Sequence, residues 1–223
     1  MNQPDCLADA GRAGASPCAE TAPDPYLSIA ATLGERGWCA CEHFLPAILV
    51  SELRAELQAL WEEGEFRRAG IGHGERLQLK STVRTDWVHW LQPEPASAAQ
   101  QACRDRIEAL RSTLNRELLL GLFEYEGHLA LYPPGARYHK HLDQFLDIGT
   151  RTVSCVLYLN RDWQAADGGQ LRIYTDPDDA EYYEEVLPQG GTLVTFLSAR
   201  YLHEVMPATR ERMSLTGWLK RRS

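Results

Sequence analysis

From His128 to Leu219 the chain is a succession of short apolar or alternating stretches cut by turn residues. HLALY, RTVSCVLYL, QLRIY, TLVTF, YLHEV and MSLTGWL are rich in β-branched and aromatic residues and short for helices. Pro133-Pro134-Gly135, Asp167-Gly168-Gly169 and Gln189-Gly190-Gly191 stand between them. Strands of this length and number bury their apolar faces by stacking or closing sheets, which predicts a β-sandwich or jelly roll.

The first half reads differently. Residues 1–23 are rich in Ala, Gly, Pro and Asp, with Leu7 as their only large aliphatic, and predict a disordered tail. Asp24-Pro25 supplies an N-cap and a first-turn proline, so a helix starts there and stops at Gly34 or Gly37. Trp38 to Leu45 reads as a strand. Pro46 opens a second helix, with Leu49, Leu53, Leu57, Leu60 and Trp61 on one stripe and Gly64 closing it. A third helix is expected from about Ala96 to Leu120, with Ile107, Leu110, Leu114 and Leu118 on its stripe. Helices first and strands later predict an α+β fold in which the helices pack on one face of the roll. Residues 24–223 are read as a single domain, with 24–127 as helical support and 128–220 as the β core.

Charge narrows the function classes. The 223 residues carry 23 Lys+Arg against 31 Asp+Glu, a formal net charge of −8, which argues against a nucleic-acid or anionic-membrane binder. Six acidic residues and no basic one fall between Tyr174 and Leu187, read as a solvated loop, whereas Arg210, Arg212, Lys220, Arg221 and Arg222 face only Glu211 in the last fourteen positions. The chain shows no apolar run long enough to span a membrane and no basic-then-apolar N-terminal signal, so a cytoplasmic protein is expected. Its six cysteines lack C-x-x-C spacing and are read as reduced thiols.

His141-Leu142-Asp143 is an H-x-D on or at the end of a strand, where alternation puts positions i and i+2 on one side. A third ligand is available in His203, sixty-two residues on. Two His and one carboxylate on one face leave metal positions open, the arrangement of non-haem Fe(II) oxygenases. Alone, H-x-D arises often by chance. Arg212 lies nine residues after His203 on the last strand, where a fixed guanidinium can pair with a carboxylate. Tyr158 puts a hydroxyl among aliphatics, where it needs a partner, and Thr216 shares the face of Arg212. His139 competes with His141 as a ligand, and His43, His73, His89 and His128 read as structural or exposed.

YPPGARYHKHLD, RTVSCVLYLNRDW, GGQLRIY and HEVMPATRERMSLTGW together resemble the Egl-9-like prolyl-hydroxylase branch of the Fe(II)/2-oxoglutarate dioxygenases. That group includes the hypoxia-factor prolyl hydroxylases and bacterial enzymes acting on elongation factor Tu. The resemblance runs from about Arg84 to Trp218 and implies a double-stranded β-helix with Fe(II) on His141, Asp143 and His203. It implies 2-oxoglutarate on Arg212 and Tyr158, with Tyr132 and Thr216 beside it, O2 as the oxidant and ascorbate as reductant. His139 becomes an outer residue in that frame. The implied reaction is 4-hydroxylation of a prolyl residue in a protein, elongation factor Tu among the partners.

Upstream, AGIGHGERLQLKSTVRTDWVHWL resembles the mobile loop and following strand that cover the substrate in this branch. The family's Arg-Gly-Asp becomes Arg84-Thr85-Asp86, which keeps the charges and stiffens the turn. By resemblance Asp86 pairs with Arg151 to hold the loop, and Arg84, Trp90 and Tyr138 border the substrate. Two other readings stay open: hydroxylation of a free amino acid or peptide natural product, and a catalytically silent jelly roll that binds metal or peptide.

Overall fold

The computed structural model of the chain describes residues 24–70, 82–94, 96–144 and 149–222. The expected tail at 1–23 and the 71–81 part of the expected lid lie outside them.

Helix α1 (Pro25–Arg36) begins where the Asp24 side chain accepts the Tyr26 N–H at 2.9 Å and ends on Gly37, whose φ of 81° suits a residue without a Cβ. Helix α2 (Ala47–Glu62) follows Pro46. Helix α3 (Ala98–Leu118) is shorter at both ends than the Ala96–Leu120 expectation. Ser97 captures the Gln100 N–H at 3.0 Å, fixing the start, and Leu119 at φ 55° turns the chain out of the helix.

Seven strands form the larger sheet, in the spatial order β1 (Trp38–Cys41), β9 (Leu193–Leu197), β6 (Arg151–Tyr158), β11 (Arg212–Arg221), β4 (Leu122–Tyr132), β3 (Trp87–Trp90) and β2 (Arg67–Arg68). Four form the smaller: β5 (Tyr138–His141), β10 (His203–Val205), β7 (Leu171–Tyr174) and β8 (Tyr183–Val186). Every ladder is antiparallel.

Four expectations change. β1 stops at Cys41 rather than Leu45, because His43 at φ 56° turns the chain toward α2. β4 starts at Leu122, six residues before the HLALY stretch, and pairs with β11 along its whole length. The β core is therefore not confined to 128–220: β1, β2 and β3 extend the larger sheet from the stretch read as helical support. Part of the acidic stretch read as a loop is strand β8, paired with β7.

Period-two alternation gives the large sheet two different faces. Leu129 and Leu131 of β4, Val153, Cys155 and Leu157 of β6, and Met213, Leu215 and Leu219 of β11 form one core with Leu53, Leu57, Ile107, Leu110 and Leu114 of the helices. Leu57, Leu110 and Leu114 are fully buried, each worth about 1.5–3 kcal/mol in water excluded from apolar surface. The opposite face carries Ala130, Tyr132, Val156, Tyr158, Val194 and Phe196, packed with Leu171, Ile173 and Val205 of the smaller sheet. The cavity lies on this second side.

Candidate active site

A cavity of about 250 Å³ opens between the sheets. His141 ends β5, Asp143 follows two residues later, and β10 places His203 directly opposite His141 in the ladder. Each offers one ligand atom, and the three atoms lie within 4.8 Å of one another. His141 Nε2 and His203 Nε2 stand 3.5 and 3.6 Å from Asp143 Oδ1. Backbone carbonyls orient both rings: His141 Nδ1 bonds His139 O at 2.8 Å and His203 Nδ1 bonds Tyr201 O at 3.1 Å. With Nδ1–H donating outward, each Nε2 lone pair points to the centre. Ser154 Oγ donates to Asp143 Oδ2 at 2.7 Å, leaving Oδ1 for a cation, and Ser198 Oγ backs Ser154 at 2.9 Å.

Burial alone pushes the Asp143 carboxyl upward, but His203, His141 and the Ser154 hydroxyl outweigh it and hold it well below the usual carboxylate range. Burial, with His141 beside it, pushes His203 down to about 4. A carboxylate beside a neutral imidazole is what a divalent cation requires.

At another part of the wall Arg212 is 1% exposed. Its Nε donates to Gly169 O at 2.8 Å, while Nη2 has no hydrogen-bond partner. The close approach needs glycine: at Gly169, φ 71°, a Cβ would meet the Arg212 side chain at 3.2 Å. The Tyr158 hydroxyl is also buried without a partner, and burial pushes it up to about 12. The Arg212 guanidinium lies 5.0 Å from the Tyr158 ring centre and 5.1 Å from that of Tyr132. Two buried donors without acceptors fit a carboxylate, and the two-His, one-Asp set fits Fe(II), so these residues suit the cosubstrate and the metal. Thr216 lines the same cavity beside Ser214, Oγ to Oγ1 at 3.2 Å.

Toward the mouth, Tyr138 stacks on His141 with ring centres 3.5 Å apart, and the Arg84 guanidinium lies 4.2 Å over the Tyr138 ring. Arg84 forks onto Asp86, Nε to Oδ1 at 2.8 Å and Nη2 to Oδ2 at 2.6 Å. Burial alone would lower the Arg84 pKa, but Asp86 outweighs it and raises it. The expected Asp86–Arg151 pair does not form. Arg84, two residues away, closes onto Asp86 through a minimal loop. Arg151 opens β6 opposite Lys220 of β11, and both cations converge on Glu126 of β4, at 2.8 and 2.9 Å. The Arg151 guanidinium also lies 3.5 Å over Trp218.

His128 and Trp218 also line the cavity, though the sequence reading gave neither a place in it. His128, read as structural or exposed, is 3% exposed, with its Nδ1 unpartnered, between Trp90 at 4.8 Å and Trp218 at 5.5 Å. Period two supplies the missed signal: His128 shares its strand face with Tyr132, and Trp218 shares its face with Arg212 and Thr216. His139 stands outside the three-atom cluster.

Residues 127–220 match the family described as the 2OG-Fe(II) oxygenase superfamily. The chain is 44% identical to a crystallised prolyl-4-hydroxylase of Pseudomonas putida, with a TM-score of 0.78 over 89% of this chain and 100% of that one. A prolyl hydroxylase of Trichoplax adhaerens, solved with a hypoxia inducible factor oxygen degradation domain peptide fragment, is 25% identical with a TM-score of 0.78, over 87% and 88% of the two chains. The hypoxia-inducible factor prolyl hydroxylase of Caenorhabditis elegans is 30% identical over 198 residues, 84% of this chain and 27% of that protein, so the chain spans about a quarter of that relative.

Proposed function

We propose that this chain, which belongs to the 2OG-Fe(II) oxygenase superfamily, hydroxylates a prolyl residue of a protein to 4-hydroxyproline. The observation that carries this is the pairing, in one cavity, of the His141–Asp143–His203 cluster with the unpartnered donor of Arg212, behind which the Tyr158 hydroxyl is buried, also without a partner. Prolyl hydroxylases of 44% and 25% identity share the fold across most of their length.

His141, His203 and Asp143 would hold Fe(II), and Arg212 with Tyr158 would take the far carboxylate of 2-oxoglutarate. The chemistry supplied when metal and cosubstrate are bound is O2 activation and hydroxylation of an unactivated C–H bond. The chain's own work is positional. The His139 and Tyr201 carbonyls fix the imidazole rings, and Ser154 holds Asp143 in one rotamer. Arg212 offers its fork from a buried site, where a carboxylate cannot exchange it for water. Tyr132 and Thr216 border the cosubstrate. Apolar walls from Val156, Leu171 and Val205 exclude water around the reacting carbon. Tyr138, Trp90, Arg84 and Arg151 would receive the substrate at the mouth, with Asp86 acting on it through the Arg84 it holds, and ascorbate is the proposed reductant.

Elongation factor Tu is the protein partner to test first, and a cytoplasmic location is proposed with it. Among the described residues no helix is long and apolar enough to cross a membrane. Incubating the chain with Fe(II), ascorbate, 2-oxoglutarate and elongation factor Tu, then mapping the digest by mass spectrometry, should reveal one added oxygen on a single proline. Consumption of 2-oxoglutarate with free amino acids but with no protein would transfer the assignment to small-molecule hydroxylation. Absence of both Fe(II) affinity and 2-oxoglutarate turnover would leave a binding protein.

A further inference from the structure

The chain carries a formal charge of −8, yet Arg67, Arg68, Arg84, Arg151 and Arg212 line the cavity, and Asp143 is the one carboxylate among its described lining residues. Arg212 is buried, and two of the other four are neutralised: Arg84 by Asp86, and Arg151 by Glu126. Among the described residues Arg67 and Arg68 have no carboxylate partner, and both are exposed. They form β2, the end strand of the larger sheet, with Arg67 opposite Val88 and Arg68 opposite Trp87 of β3. The Arg68 guanidinium lies 4.9 Å over the Trp87 ring. Trp87 belongs to the helix-facing core, so Arg68 stacks on that side of the edge strand while Arg67, opposite Val88, takes the cavity side. Stacking fixes the plane of the Arg68 fork at the rim and leaves its edge donors exposed. β3 also carries Trp90, 44% exposed at the same cavity. Two adjacent cations without a carboxylate partner among the described residues, on an otherwise acidic molecule, create a local positive field at the cavity rim.

We infer that Arg67 and Arg68 select protein substrates in which acidic side chains flank the target proline, the two guanidiniums taking Asp or Glu carboxylates. This rests on the prolyl hydroxylation proposed above and names its substrate class.

The test is hydroxylation of a whole-proteome peptide digest by the full chain with Fe(II), ascorbate and 2-oxoglutarate, with hydroxyprolines mapped by mass spectrometry. Asp and Glu should outnumber Lys and Arg severalfold around modified prolines relative to unmodified ones. The R67Q/R68Q variant should hydroxylate the acid-flanked peptides about threefold to tenfold more slowly at low salt, the range for two exposed ion pairs. Its dependence on 2-oxoglutarate concentration should stay unchanged. R67E should shift the preference toward basic flanks. Hydroxylation without acidic bias, or with a bias the double variant retains, overturns the inference and leaves the hydroxylase reading standing. If no proline is modified, the hydroxylase reading fails, and fluorescence anisotropy decides the inference alone. A labelled Glu-Pro repeat peptide must then bind more tightly than a Lys-Pro repeat and weaken in R67Q/R68Q; equal binding overturns it.

Discussion

Ser154 Oγ donates to Asp143 Oδ2 at 2.7 Å and so decides which carboxylate oxygen faces His141 and His203. Without that bond the carboxylate can rotate, and the oxygen presented to a cation is no longer fixed.

Ser154→Ala should therefore weaken Fe(II) binding by about 10- to 100-fold, the usual cost of losing a group that orients a metal ligand. The fold should survive, since Ser198 Oγ is the only other side-chain partner lost. Titration with Fe(II) under anaerobic conditions, alongside circular dichroism, separates the two effects. Unchanged affinity would show that Asp143 is oriented by packing alone.

Arg212→Lys removes the fork while keeping the charge. The KM for 2-oxoglutarate should rise by about 10- to 100-fold, as expected for losing a hydrogen bond to a charged group worth about 1.5–3 kcal/mol. Tyr158→Phe should raise it less, because a neutral hydroxyl contributes about 1 kcal/mol. Steady-state assays varying 2-oxoglutarate measure both, and an unaltered KM in Arg212→Lys would remove Arg212 from the cosubstrate site.

Asp86 is 1% exposed and neutralises Arg84, whose side chain is 13% exposed. Asp86→Ala leaves a largely buried guanidinium without its counter-ion and should cost about 3 kcal/mol in urea unfolding, toward the low end for broken buried pairs. It should also depress turnover of protein substrate more than affinity for 2-oxoglutarate. Equal losses on both would mean that the pair supports the cavity as a whole.

His128 and His203 are held near 3 and 4 in the folded chain, against 6.5 for an ordinary imidazole, first of all by burial. Depressed histidines bind protons more readily after unfolding, so their contribution is full above pH 6.5 and is lost as pH falls toward 4. Each adds about 1.4 kcal/mol per pH unit to that loss. His128→Gln in the metal-free protein should flatten the acid limb of stability between pH 6 and 4 by about that slope. An unaltered limb would show that His128 takes up its proton in the folded state.

The sequence made some layers legible and hid others for physical reasons. Alternation in HLALY and MSLTGWL separates a helix-facing row, Leu129, Leu131, Met213 and Leu215, from a cavity-facing row, Tyr132, Arg212 and Thr216. The same alternation should have drawn His128 inward. His141 and Asp143 are local neighbours, so their convergence can be read from spacing. His203 reaches them through a ladder across sixty-two residues, which local periodicity cannot reveal and family resemblance can. β8, Tyr183–Val186, lacks an apolar face because it is an edge strand, where charge guards against further pairing. The Asp86–Arg151 expectation failed because each residue has a nearer partner of opposite charge: Arg84 for Asp86, Glu126 for Arg151.

The most direct measurement compares the wild-type chain with His203→Ala, each supplied with Fe(II), ascorbate, 2-oxoglutarate and a protein substrate, followed by hydrolysis and amino-acid analysis. The wild type should form 4-hydroxyproline one-for-one with 2-oxoglutarate consumed, and the variant none. Hydroxyproline formation surviving in His203→Ala, or oxygen added only to residues other than proline, would contradict the proposed function.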